Sequence, residues 1–292
     1  MLWSYLKKVT RRLIILLSQL SQIPHDLSKQ ISIHYARRFE QSKIAVPLEV
    51  LVIVHAYWPQ QFIFIINYLN RLKTPLWIVV TIPQGESAIQ IEQLLPTISA
   101  HHEVSAMQVE NAGRDIGPFL KAIESFANKN WDVVIKVHTK SSQNIWFETL
   151  VKSLLQSDRR IRNHARLLKS YPKGIIVHPL FRYPGHKQPL DEPAMQRLRS
   201  HLLFDELSIT GRWYFAAGSM FAASPAMLVD LKRASETIGL AQFEYENDYS
   251  QASLAHVFER FLGLYAFSRG TGLLCTSIFH YLDLKALLVK MI

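Results

Sequence analysis

The chain has 292 residues, a formal net charge of +10 and an isoelectric point of about 9.6. Hydrophobic residues make up 49% and charged residues 19%, which is enough apolar content for a sizeable core and argues against a disordered chain. No repeat of fixed period is present, which excludes a solenoid, and the single cysteine, Cys275, excludes an internal disulfide and favours a reducing compartment.

The charge is unevenly spread. Residues 1–43 carry Lys7, Lys8, Arg11, Arg12, Lys29, Arg37, Arg38 and Lys43 against Asp26 and Glu40, so the other 249 residues hold only +4. The apolar run Leu13–Leu17 is far short of the roughly 20 residues that span a bilayer, and no cleavage-site pattern of a signal peptide follows it. With Trp3 and Tyr5 at its start, the segment reads as an amphipathic helix lying on an anionic membrane surface; the alternative is a helix packed on the domain. Because over half of the excess charge sits there, no nucleic-acid partner is expected. No longer apolar run occurs elsewhere, so no transmembrane span is expected, and the location expected is the inner face of a cytoplasmic membrane.

From Pro47 the pattern changes. Glu49–Ala56 is a continuous, β-branched apolar run, the signature of a strand buried on both faces. A helix is predicted over Pro59–Leu72 with proline near its first turn. A strand over Leu76–Ile82, a helix over Glu86–Ser99, a strand over Val104–Glu110, a helix over Ile116–Asn128 and a strand over Trp131–His138 follow. This alternation predicts βαβ units with right-handed crossovers. The fold class expected is α/β, a Rossmann-like, mostly parallel central sheet flanked by helices. Ligands in such sheets bind beyond the carboxyl ends of the strands, which points to His55–Tyr57, Asn111–Asp115 and His138–Ser141.

The second half is less regular. One long helix is predicted over Trp146–Ser170, a strand over Gly174–His178, a polar loop, and one strand over Trp213–Ala223 that closely approaches a ligand or another backbone at Gly218. Pro225 opens a helix, Glu244–Asp248 is an acidic loop, Ser250–Phe267 is helical, and Tyr281–Ile292 is an apolar, lysine-bearing tail. The domains expected are a basic segment over 1–46, a main domain over 47–270 and a C-terminal amphipathic tail over 271–292.

Three constellations carry chemistry. Val109–Phe119 contains Asn111, Gly113, Arg114 and Asp115, a tight loop in which Arg114 can fork onto a phosphate or carboxylate. Asp115 either caps the following helix or bonds a sugar hydroxyl. In Lys136–Lys140, strand alternation puts Lys136, His138 and Lys140 on one face. Buried lysines are rare, and a bound diphosphate would account for them. Phe243–Asp248 offers Glu246 and Asp248 as general bases for an acceptor hydroxyl, ahead of a helix carrying His256, Glu259 and Arg260; the plain reading is a solvated loop and ordinary helix charge pairs.

Five ordered stretches, Asn111–Leu120, Lys136–Ser141, Gly174–Pro179, Ala217–Phe221 and Leu254–Arg260, resemble the rhamnan synthesis F family of polysaccharide-assembly proteins over roughly residues 48–268. The resemblance implies a sugar transferase of cell-surface polysaccharide or lipopolysaccharide assembly, with rhamnose or another deoxyhexose as the donor sugar, and a layout similar to the GT-A class of glycosyltransferase folds. For such an activity, the residues read above are expected to serve as follows: Asn111, Arg114 and Asp115 would hold a nucleotide-sugar donor, with Lys136, His138 and Lys140 neutralising the diphosphate. Gly218 and Ser219 would line the sugar pocket, Glu246 or Asp248 would be the base, and His256, Glu259 and Arg260 would support the site. Two departures stand out. The GT-A pattern has a metal-binding Asp-x-Asp where this chain has His138-Thr-Lys140, so no cofactor is expected, although a divalent Mg²⁺ or Mn²⁺ stays open. Where the family's helix opens with Asp-Gly-Thr, this chain has Gln251-Ala-Ser253; if that Asp matters, the alternative is a non-catalytic glycan- or partner-binding module.

Overall fold

The computed structural model describes residues 47–126, 129–141, 145–178, 181–185, 213–238, 254–269 and 273–274. In chain order these form β1 (Val50–His55), α1 (Pro59–Leu69), β2 (Trp77–Pro83), α2 (Glu86–Leu94), β3 (Glu103–Val109), α3 (Ile116–Phe126) and β4 (Val133–His138). Then come α4 (Ile145–Leu155), α5 (Asp158–Ser170), β5 (Ile175–Ile176), β6 (Arg182–Pro184), β7 (Tyr214–Ala216), β8 (Phe221–Ala223), α6 (Pro225–Ile238), α7 (Leu254–Ser268) and β9 (Leu273–Leu274).

The main sheet has seven strands in the order β3-β2-β1-β4-β8-β5-β9. The first four are parallel, and β8 is antiparallel to both β4 and β5. This is the mostly parallel, helix-flanked α/β sheet that the alternation predicts. Parallel neighbours need long crossovers, and α1, α2 and α3 supply them.

Strand alternation sorts the two faces. Val50, Val52 and Val54 of β1 and Val133, Ile135 and Val137 of β4 join one apolar cluster with Phe62, Ile65 and Leu69 of α1, Phe147, Leu150 and Leu154 of α4, and Ile161 and Leu168 of α5. Each such side chain gains about 1.5–3 kcal/mol by leaving water. The odd partners on β4, Lys136 and His138, face the other way. That second face carries the buried Phe119 of α3 and Phe221 of β8, both beside Lys136, and Phe119 meets Phe221 edge-on at 5.6 Å. A sheet covered on both faces explains why the central strands read as continuous apolar runs.

Two expectations need correction. The single helix over Trp146–Ser170 is two, α4 and α5. The break falls at Ser157, which is extended and whose side chain accepts from the Arg160 N–H, so it caps α5 rather than continuing α4. The single strand over Trp213–Ala223 is also two. Gly218 and Ser219 both take positive φ, 85° and 46°, and end β7 before β8 begins; β7 pairs with β6 in a separate two-stranded sheet. The expected basic helix over 1–46, the acidic loop over 244–248 and the tail over 281–292 lie outside the described residues. No helix among the described residues is long and apolar enough to cross a membrane.

Helix α7 lies directly against the backbone of β7. A Cβ on Gly263 would run into the Tyr214 carbonyl and the Phe215 Cα. Alanine would improve a free helix by about 0.5–1 kcal/mol, but here it must push the helix off the strand. Gly263→Ala is therefore expected to lower stability by about 1–3 kcal/mol in urea denaturation.

Candidate functional site

The carboxyl ends of β1 and β4 are tied together. His55 and His138 are register partners, and the Thr139 N–H donates to the His55 carbonyl at 3.0 Å. The Thr139 hydroxyl oxygen accepts from the backbone N–H groups of Tyr57 and Trp58 at 2.8 and 3.0 Å. Thr139, which the sequence reading passed over inside its Lys-Val-His-Thr-Lys stretch, thus fixes how the chain leaves β1.

The Asn111–Asp115 loop follows β3. Gly113 and Arg114 both take positive φ, 69° and 55°, and the N–H groups of Ile116 and Gly117 both donate to the Gly113 carbonyl at 3.0 Å. The turn delivers Asp115 to Lys136 across the second sheet face. Lys136 is only 1% exposed. Its ammonium donates to the Asp115 carboxylate, to the Ser219 carbonyl at 2.9 Å and to the Ser219 Oγ at 3.3 Å. The Ser219 hydroxyl donates in turn to Asp115. The rings of Phe119 and Phe221 flank the ammonium, their centroids 5.6 and 5.9 Å from Nζ.

Burial alone would raise the Asp115 carboxyl, but the Lys136 charge and the hydrogen bonds from Lys136 and Ser219 outweigh it and hold it well below the usual carboxylate range. Burial pushes the Lys136 ammonium down while Asp115 pushes it back up. His138, with Nδ1 3.4 Å from the same carboxylate, is driven well below its ordinary value by burial, and burial lowers His55 to about 4. Both imidazoles are neutral at pH 7.

Two expectations for this strand are therefore corrected. All three ammonium hydrogens of Lys136 are spent on Asp115 and Ser219, so a diphosphate is not what accounts for it. His138 offers a hydrogen bond and not a charge. Lys140 is half-buried, its Nζ sits 4.8 Å from the centroid of the Trp146 ring, and among the described residues it makes no ion pair.

The Gly218–Ser219 turn brings in α7. The Gly218 N–H donates to Glu259 Oε1 at 2.6 Å, and a Cβ on Gly218 would lie 3.5 Å from the Lys140 Nζ. Burial, then the charge of Asp115, raises the Glu259 carboxyl from its ordinary 4.5 to about 7, against the opposing pull of the Gly218 N–H and of Lys140 and Lys136. One turn earlier on α7, His256 Nε2 lies 3.0 Å from Arg114 Nη1. A guanidinium only donates, so Nε2 accepts and the His256 proton sits on Nδ1. Arg260 is 3% exposed, and burial lowers its pKa. Asn111 is partly buried in its loop. The structure thus draws Arg114, Asp115, Lys136, His138, Gly218, Ser219, His256 and Glu259 into one network, with Lys140 beside it. Glu246 and Asp248 lie outside the described residues. From sequence Glu259 has only a supporting place, because nothing in a helix sequence says that its carboxylate will meet the turn at Gly218.

Among the described residues, the donors near the end of β4 do not suit a divalent cation. At the end of β4 stand two lysines and neutral imidazoles, and the nearby Asp115 is committed to Lys136. Among the described residues no group of three His, Cys, Asp or Glu side chains is placed to hold a metal ion.

Fold and site together define an α/β protein whose charged side chains gather toward the carboxyl ends of a mostly parallel sheet. The model of the rhamnan synthesis protein F family matches residues 13–271, and the chain belongs to that family. Proteins of two strains of Xanthomonas campestris pv. campestris, both described as uncharacterised protein WxcX, are each 27% identical over 224 residues, 73% of this chain and 30% of theirs. The chain thus spans about a third of the length of the curated relatives it matches. Among solved structures, S. aureus TarS 1–349 shares 13% identity at a TM-score of 0.38, over 79% of this chain and 58% of that one. A protein of Desulfovibrio desulfuricans G20 described as a candidate nucleotide-diphospho-sugar transferase shares 9% identity at 0.31, over 79% of this chain and all of that one. Likenesses this distant do not speak to what the chain acts on.

Two outcomes check the electrostatics. Asp115→Ala strands a buried ammonium, and Lys136→Ala a largely buried carboxylate. Each is expected to cost about 3–5 kcal/mol, and the double variant less than their sum, in a urea double-mutant cycle at pH 7. The Asp115 contribution is present above the ordinary carboxylate pKa and is lost as pH falls below it. Glu259 has the opposite sign: its folded pKa is raised, so its contribution is present below about 4.5 and is lost as pH rises through about 7. Glu259→Gln, which can still accept from Gly218, is therefore expected to melt with wild type at pH 5 and above it at pH 8.

Proposed function

We propose that the chain is a glycosyltransferase of polysaccharide synthesis. It moves a sugar, rhamnose or another deoxyhexose, from a nucleoside diphosphate to a growing cell-surface polysaccharide or lipopolysaccharide glycan. The observation that carries this reading is the pairing at the Gly218 turn. A carboxylate whose pKa is raised to about 7, Glu259, and a cation that makes no ion pair among the described residues, Lys140, flank the same glycine. A group titrating near neutrality is suited to accept a proton in the transition state, and a fixed cation stabilises charge that builds on a leaving group. Family membership and the GT-A-like order of strands and loops support the same reading.

In this scheme the acceptor hydroxyl gives its proton to Glu259. Its oxygen bonds to the anomeric carbon, the bond from that carbon to the diphosphate oxygen breaks, and the electron pair leaves with the diphosphate. Lys140 and Arg114 stabilise that charge. Asp115, Lys136 and Ser219 hold the turn that presents Glu259, and no step uses a metal. The donor is a nucleotide sugar, the acceptor a lipid-linked glycan, and the place of work the cytoplasmic face of the membrane, held there by the basic segment over 1–46. The second reading, a non-catalytic glycan- or partner-binding module, is favoured by one feature, Gln251 where the family has Asp.

A thermal-shift titration with UDP, GDP and dTDP, with and without Mg²⁺, tests the reading. One nucleotide at about 100 times its Kd is expected to stabilise the fold by about 2.7 kcal/mol. Lys140→Ala should abolish that shift. Glu259→Gln should keep it but lower sugar transfer by about 10²–10⁴-fold. No shift with any nucleotide, or full transfer by Glu259→Gln, moves the assignment to the binding module.

A further inference from the structure

Five tryptophans fall within the described residues, and they divide by position. Trp131 and Trp213 are 6% and 4% exposed, and Trp77 stacks edge-on against Trp131 at 5.8 Å. Trp58 and Trp146 are each 40% exposed. Both of these follow carboxyl ends of the parallel strands, Trp58 after β1 and Trp146 after β4, and each touches the Thr139–Lys140 segment. The Trp58 N–H donates to the Thr139 hydroxyl at 3.0 Å, and its ring meets Tyr57 edge-on at 4.9 Å. Trp146 opens α4, packs at 5.7 Å against Phe181, and lies under the Lys140 ammonium. The other large exposed apolar residues among those described, Ile63, Ile89, Val104 and Val229, are aliphatic, and single exposed aliphatics need no explanation.

We propose that Trp58 and Trp146 form the stacking platform for the acceptor saccharide, binding a pyranose ring of the growing glycan. The proposal rests on the transferase reading above. An indole left in water forgoes burial of a large apolar face, and that face, with its negative π-surface, matches the C–H face of a pyranose. Position selects the acceptor over the donor's base. The Trp146 Cζ2 is 3.2 Å from where a Cβ on Gly218 would be, and the Gly218 N–H is held by Glu259. Trp146 is thus one residue away from the carboxylate that must touch the acceptor hydroxyl. A nucleobase is separated from the reacting carbon by a ribose and two phosphates. The acceptor is joined to it directly, so an aromatic surface this near the base lies where the acceptor ring must rest.

The test uses the full chain and saturation-transfer NMR with trisaccharides of L-rhamnose, D-glucose, D-galactose and N-acetyl-D-glucosamine as probes. Thermal shifts with UDP, GDP and dTDP run in parallel. Trp58→Ala and Trp146→Ala are each expected to weaken the trisaccharide that wild type prefers by at least tenfold, and Trp58→Ala and Trp146→Phe, which keeps a ring under Lys140, to leave the nucleotide shift unchanged. Trp146→Phe should stay within about threefold; should Trp146→Ala melt early, it and Trp58→Ala carry the test. Unchanged saccharide binding in both alanine variants, loss of the nucleotide shift in place of saccharide binding, or a wild type that binds none of the trisaccharides overturns the proposal. Tryptophan-dependent saccharide binding in a protein that no nucleotide stabilises keeps the platform and removes the transferase reading.

Discussion

A lysine ammonium held away from water on the central strand of a parallel sheet has to be compensated, and the structure around the site is arranged by that need. Lys136 cannot stay charged there without a carboxylate and further acceptors, because desolvating one ion costs several kcal/mol. Asp115 supplies the charge and Ser219 the remaining acceptors. Each of these comes from a backbone conformation that an L-residue rarely adopts: Asp115 follows Arg114 at φ 55°, and Ser219 itself sits at φ 46°. Such conformations cost of order 1–3 kcal/mol each and persist only where the surroundings hold them. Here the ion pair holds both turns, one after β3 and one between β7 and β8.

The same arrangement explains the chemistry at the mouth of the site. With the Gly218–Ser219 turn locked from behind by Lys136 and Asp115, the Gly218 N–H points to Glu259 of α7. Asp115, ionised to serve Lys136, repels charge on Glu259 and helps burial raise its pKa to about 7. One carboxylate is held far below neutrality and its neighbour is lifted to it. Divergent environments for two nearby carboxyl groups are how a single site acquires a fixed anion and a proton acceptor. The close seat of α7 on β7, permitted by Gly263 four residues along the same helix face, sets the depth at which Glu259 meets the turn.

Much of the fold was legible in the sequence, for a local reason. Strands buried on both faces read as near-continuous apolar runs, as Val50–His55 does, and the crossovers between parallel neighbours are usually helices. The order of elements through β4 therefore follows from periodicity alone. Errors fell where a local cap or turn competes with a longer pattern. Ser157 ends what reads as one helix by accepting a bond from Arg160, and Gly218–Ser219 splits what reads as one strand by taking positive φ.

Sequence by itself determined that Lys136 and His138 share a face, because strand alternation is a property of the backbone, that Lys140 follows just past the strand, and that Asn111–Asp115 lies beyond a strand end. Tertiary structure decided how those side chains divide their work. Lys136 is consumed by Asp115, His138 is neutral through burial, and only Lys140 presents its cation with no ion pair among the described residues. It also promoted Glu259, which lies 41 residues from the glycine it contacts. Charge, ionisation and hydrogen-bond commitment depend on what lies within a few ångströms in space, and the separation of 104 residues between Ser219 and Asp115 is closed only by the fold.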